Sequence, residues 1–101
     1  MDKLITEILE ISRNKEGKTS LELVVKCMEE LGEVAEAILS VQGASGCAYK
    51  GKTLDDVREE AIDVILVIFA LTAKLGMDED EIKSIIKKKL IKWQSVISLP
   101  K

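Results

Sequence analysis

Apolar positions recur at helical spacing along this chain, and four helices can be placed from them. The first is predicted from about Asp2 to Arg13, with Leu4, Ile5, Ile8, Leu9 and Ser12 on one face. "RNKEGK" follows as a breaker, Gly17 supplying the end signal. The second opens at "TSLE", where Thr19 is a candidate N-cap and Glu22, three residues on, completes a capping-box pattern; it continues to about Val41. "QGASGCAYKGK", residues 42 to 52, reads as a Gly-rich polar loop. The third helix opens at "TLDD" with Thr53 as cap and Asp56 at the reciprocal position, and runs to about Leu75 with Gly76 closing it. The fourth starts at "MDEDE", with Asp78 as N-cap and Glu81 opposite, and runs to about Ile97 before Leu99-Pro100. No repeat or domain boundary interrupts this pattern, so residues 1–101 form one all-α domain.

The third helix departs from an amphipathic pattern. "IDVILVIFAL", Ile62 to Leu71, is apolar on every side except at Asp63. A helix apolar all round is covered all round. In a chain this small three other helices are hard put to wrap it, so a partner subunit is the natural cover and a homodimer at least is expected; the other reading is a central bundle helix.

The acids of the second and third helices share one spacing. Each helical residue turns about 100°, so Glu33 lies about 60° to one side of Glu30 and Val34 about 40° to the other. Leu31, Ile38 and Val24 extend the apolar arc beyond Val34, which places the Glu30–Glu33 pair beside the stripe expected to be buried. Glu60 and Asp63 repeat the arrangement, with Val64 on the apolar side. If the two helices pack antiparallel, four carboxylates converge. Two unit charges ~4 Å apart repel by roughly 4 kcal/mol at an effective dielectric near 20. A cation or protonation must relieve that. Oxygen ligands select a hard cation, Mg²⁺, Mn²⁺ or Ca²⁺. No EF-hand loop is present, and Mg²⁺ held by few carboxylates commonly completes its shell with water and phosphate oxygens.

Composition narrows the chemistry further. The chain has no histidine, which removes Ser-His and Cys-His nucleophiles and His-type metal sites. With 18 acids against 15 bases the net charge is -3, which gives no steering toward nucleic acid. Cys27 falls among apolar helical positions and reads as a small core residue, whereas Cys47 is in the loop. The N-terminus is amphipathic and acidic rather than signal-like, and the longest apolar run, "VILVIFAL", is too short to span a bilayer. A cytoplasmic protein with no membrane and no nucleic-acid partner is expected.

"EELGE" at 29–33 followed by "EAID" at 60–63 resembles the signature of the MazG-like all-α nucleoside triphosphate pyrophosphohydrolases, relatives of the dimeric dUTPases and dCTP pyrophosphatases. "LELVVKCMEELGEVAEAI", "VREEAIDVILVIFALTAKLGMDEDEI" and "KKLIKW" extend the resemblance over roughly residues 20–94. This chain carries a single copy of the domain and no tryptophan in its first helix. The resemblance implies a four-helix bundle whose core is completed by a homo-oligomer, a dimer or a tetramer built as a dimer of dimers. It implies Mg²⁺-dependent hydrolysis of a nucleoside triphosphate to monophosphate and pyrophosphate, with Mn²⁺ as a possible substitute. By position, Glu30, Glu33, Glu60 and Asp63 would hold the metal. Glu29 would sit close by, aiding a second ion or polarising water, so Glu29 and Glu30 are the candidate catalytic residues.

Phosphates need cationic partners. On the fourth helix Lys89 falls in the middle of the apolar arc of Ile82, Ile85, Ile86, Trp93 and Val96, and Lys92 lies at its edge. Both are candidate substrate-binding residues, and Trp93 is expected to be core. Tyr49, Lys50 and Lys52 sit on the Gly-rich loop, from which they could cover a site as a lid. Two other readings fit the same pattern: a non-enzymatic helical interaction module, and a hydrolase of the same fold acting on a phosphoribosyl nucleotide.

Overall fold

The computed structural model of the protein describes residues 2–43, 46 and 50–97. The readings made for Cys47, Tyr49 and Leu99-Pro100 lie outside the described residues. Within them the chain is all-helical: α1 (Asp2–Lys15), α2 (Ser20–Val41), α3 (Leu54–Lys74) and α4 (Glu79–Ile97).

The helix starts are set by local chemistry. Thr19 Oγ1 accepts from the Glu22 N–H at 3.1 Å while Glu22 Oε1 accepts from the Thr19 N–H at 3.1 Å. Thr53 and Asp56 make the same reciprocal pair at the start of α3, at 3.3 and 2.7 Å. At α4, Asp78 Oδ1 accepts from the Glu81 N–H at 2.9 Å, the forward half of a box. Each contact satisfies a backbone donor that the first turn leaves without a partner. Thr53→Ala is therefore expected to cost about 1 kcal/mol of stability. Urea denaturation should detect the loss, and Thr53→Ser should largely restore the midpoint; a midpoint unmoved by alanine would deny the cap any energetic role.

The helix ends follow two patterns. At α3, Gly76 takes φ 77°, Met77 N–H donates to Thr72 O and Gly76 N–H to Ala73 O, the paired bonds of a glycine-terminated helix. At α1 the expected glycine signal is not used. The helix runs on to Lys15, Gly17 is not among the positive-φ glycines, and the Glu16 carboxylate accepts from the Lys18 N–H at 2.9 Å. Lys74 Nζ donates to Glu16 O at 3.0 Å and Arg13 donates to Met77 O at 3.2 Å, tying the end of α1 to the end of α3.

Helices α2 and α3 form an antiparallel pair, and α1 lies against α3. The antiparallel sense is visible in the pairing: Glu30 meets Asp63, Glu33 meets Glu60, and Ser40 meets Lys52. The buried line of α2 is Leu23, Glu30 and Ala37, with Ser40 at its end. This differs from the expected stripe, since Val24, Leu31 and Ile38 are exposed. The second helix is apolar on two sides, and α3 covers only one of them. Cys27 is half-buried beside that line rather than in the core. On α3, Val57, Glu60, Ala61, Val64 and Val67 are half-buried, Glu60 meeting α2, while Ile62, Ile65, Leu66 and Ile68 are exposed.

Helix α4 stands apart from the other three. Its first turn is anchored by buried Ile82, and beyond it Ile85, Ile86, Leu90, Trp93 and Val96 are exposed. Trp93, 61% exposed, is thus not part of this chain's own core. The consequence is an open shape: the radius of gyration is 16.6 Å, against about 13 Å for a compact chain of this length. The chain exposes 7609 Å², whereas a compact 11.2 kDa monomer exposes about 5,700 Å². No helix of the described residues is long and apolar enough to cross a membrane.

Candidate functional site

The antiparallel α2–α3 pair brings carboxylates of both helices to one place. One oxygen each from Glu30, Glu60 and Asp63 lies within 4.8 Å of the other two. Glu30 occupies the middle of the buried line of α2 and is 9% exposed; Glu60 faces it from the α2-facing side of α3. Asp63, one turn on, reaches the same point from the exposed margin. The tight group is therefore a trio, not the expected quartet. Glu33 flanks it. Its carboxyl is held above the ordinary value of 4.5, first because it can share a proton with Glu60, then because the charges of Glu30 and Glu60 repel its own.

The trio suits a hard dication. Octahedral oxygens about 2.1 Å from Mg²⁺ stand at most about 4.2 Å apart, so small side-chain rotations close the site. Glu60 Oε2 points the same way: it is buried and meets no hydrogen-bond donor among the described residues, so either a proton shared with Glu33 or a cation satisfies it. A buried carboxylate oxygen without a partner is costly, and a cation is the partner its chemistry fits. Glu30, Glu60 and Asp63 would hold such an ion.

Lysine 26, which the sequence reading did not single out, also belongs to the site. Its ammonium lies 3.2 Å from Glu30 and 3.6 Å from Glu29, and the Glu30 hydrogen bond, with the Glu30 charge next, raises its pKa above 10.5. Its position four residues before Glu30 was the signal that could have found it. Glu29 itself points to the exposed side of α2 and is not brought into the trio.

The lysines of α4 are elsewhere. Lys89 and Lys92 line a shallow groove made only of α4 side chains, among them Ile85, Leu90 and Trp93. Within one chain they do not meet the acids. The residues that do share a cavity with the acids are Lys50 and Lys52.

The raised proton affinity of Glu33 has a measurable sign. The folded protein holds this proton more tightly than the unfolded chain does. Its contribution to stability is thus complete below pH 4.5 and is lost as pH rises through the raised folded value. Glu16, Glu22 and Asp56, whose pKa values are lowered chiefly by backbone N–H donors, act in the opposite sense at lower pH. In EDTA the urea midpoint is therefore expected to fall as pH rises above 4.5, and Glu33→Gln should flatten that fall. A slope unchanged by Glu33→Gln would show that the acids of the cleft do not repel one another.

Comparison of the chain with family models, with curated proteins and with solved structures gives no match.

Proposed function

We propose that the protein is a Mg²⁺-dependent hydrolase that converts a nucleoside triphosphate to its monophosphate and pyrophosphate. The observation that carries this reading is the convergence of Glu30, Glu60 and Asp63 around a buried, unpartnered Glu60 oxygen. The order of the acids along the chain supports it, because that order is the basis of the resemblance to the MazG-like pyrophosphohydrolases. An interaction module would use the exposed apolar faces equally well. It offers no reason, however, to place a carboxylate in the middle of the α2–α3 seam.

In this reading Glu30, Glu60 and Asp63 hold the cation and Glu33 completes the acidic wall. When bound, Mg²⁺ offsets the negative charge on non-bridging phosphate oxygens. A water oxygen forms the new bond to the α-phosphorus. The bond from that phosphorus to the bridging oxygen breaks, and pyrophosphate leaves with the electron pair. The water's proton passes to a carboxylate of the cleft, and Glu33, beside the trio but outside it, is the candidate to receive it. Glu29 faces away in the single chain, so it takes no part in this scheme.

The active form is proposed to be a homo-oligomer, a dimer or a dimer of dimers, in which a second copy covers the outer faces of α2, α3 and α4. The role of a cytoplasmic enzyme that clears surplus or non-standard nucleotides follows from the same resemblance. A panel of normal and modified triphosphates, and of phosphoribosyl nucleotides, incubated with Mg²⁺ tests the proposal. Release of pyrophosphate together with the monophosphate is expected for at least one triphosphate. Turnover of phosphoribosyl compounds alone would move the assignment to the related reaction, and no turnover of any substrate would favour the interaction module.

A further inference from the structure

The acidic cleft has a basic wall. Glu33 and Glu60 share a cavity of about 560 Å³ with Glu36, Lys50 and Lys52. Lys52 is tied through its backbone to the end of α2 and the start of α3. Ser40, buried at the end of α2, accepts from the Lys52 N–H at 3.0 Å, and the next residue, Thr53, caps α3. Between the lysines Gly51 takes φ 62°, a turn that glycine makes without strain. Lys50 Nζ lies 2.9 Å from Glu36 Oε2. The Glu36 side chain is half exposed, and an ion pair in such surroundings contributes little to stability, so it exchanges readily for a better anion. Lys52 makes no ion pair among the described residues.

We propose that Lys50 and Lys52 bind the polyphosphate of the substrate, and that Glu36 holds Lys50 until the anion takes its place. This rests on the hydrolase reading and names the phosphate ligands within it. Three carboxylates and two ammonium groups line the cavity, so an anion meets net negative charge there until a dication is bound. A polyphosphate can meet both requirements at once: some oxygens face the cation held by Glu30, Glu60 and Asp63, and others face the lysines across the cavity. Charge-assisted hydrogen bonds to phosphate are stronger than neutral ones, and they favour the exchange of Lys50 from Glu36.

Titration calorimetry on the 101-residue chain tests this, with Mn²⁺ alone as the first probe and inorganic pyrophosphate as the second. Pyrophosphate is expected to bind only when Mn²⁺ is present. The Lys50→Ala/Lys52→Ala variant should keep its Mn²⁺ affinity within about threefold and lose about 10- to 100-fold in pyrophosphate affinity. Lys52→Ala alone, which retains the backbone bond to Ser40, should show part of that loss if the double variant folds poorly. Glu36→Gln should bind pyrophosphate more tightly, because the carboxylate 2.9 Å from Lys50 no longer competes with the anion. Lys89→Ala/Lys92→Ala should change neither affinity. Unaltered pyrophosphate binding in the Lys50/Lys52 variants, or a loss confined to the Lys89/Lys92 variant, overturns the assignment while metal binding and turnover still support the hydrolase. A wild-type chain that binds neither Mn²⁺ nor pyrophosphate ends both.

Discussion

Replacing Glu60 by Gln, or Asp63 by Asn, is expected to abolish Mg²⁺-dependent release of pyrophosphate while leaving the helical circular dichroism signal intact. Each amide keeps the shape of the acid but removes a charge from a group of three oxygens within 4.8 Å. A cation held by three carboxylates does not tolerate that loss well. A dication contributes several kcal/mol to a phosphoryl transition state, and each 1.36 kcal/mol is tenfold in rate, so a loss of about 10³-fold or more is expected. Stability should move the other way. In the metal-free protein, Glu60→Gln removes like-charge repulsion with Glu30 and Glu33, and its amide N–H groups can donate to those carboxylates. The urea midpoint of Glu60→Gln in EDTA should therefore equal or exceed that of the wild type. Activity that survives both substitutions would exclude the trio as the site. Variants that unfold would assign these acids a structural role.

A second large effect is expected on assembly. The surface exposed by one chain exceeds that of a compact monomer of its mass by about 1,900 Å², more than twice the ~800 Å² that each partner buries in a standard interface. Much of it is apolar: Ile62, Ile65, Leu66 and Ile68 on α3, and Ile85, Leu90, Trp93 and Val96 on α4. Covering one large aliphatic or aromatic side chain contributes about 1.5–3 kcal/mol before association costs are subtracted. A carboxylate forced into such an interface costs at least as much again. Ile65→Glu and Trp93→Glu are thus each expected to weaken self-association by 10²-fold or more. Light scattering after size exclusion, run over a range of concentrations, should give a mass of two or four chains for the wild type and a shift toward one chain for each variant. A wild type that stays a single chain at every concentration would refute the homo-oligomer.

Much of the local structure was legible without coordinates. Thr19, Thr53 and Asp78 could be named as caps because a capping contact involves residues three apart in one chain, whatever surrounds them. The same holds for Gly76, whose positive φ ends α3. The convergence of Glu30 with Glu60 and Asp63 needed one further assumption, that helices joined by a loop pack antiparallel, and the pairing of Ser40 with Lys52 agrees with it. The lysines were harder. Lys89 looked out of place on the apolar arc of α4, but beyond Ile82 that arc is exposed in the single chain. Lys50 and Lys52 could be read only as loop residues able to cover a site, and the fold is what puts them in one cavity with Glu33 and Glu60.

By itself the amino-acid sequence determined where the capped helices begin, where α3 ends and how their acids are spaced, since hydrogen bonding and side-chain period act over a few residues. Tertiary structure alone decided which side of each helix is covered. Helix α2 offers both Leu23–Glu30–Ala37 and Val24–Leu31–Ile38 as contact lines, and α3 packs on the first, which sets Glu30 within the seam. Burial belongs to a pair of surfaces rather than to one stretch of chain. For that reason the trio of oxygens, the displaced Glu29 and the basic wall of the cleft appear only once α2 and α3 are in place.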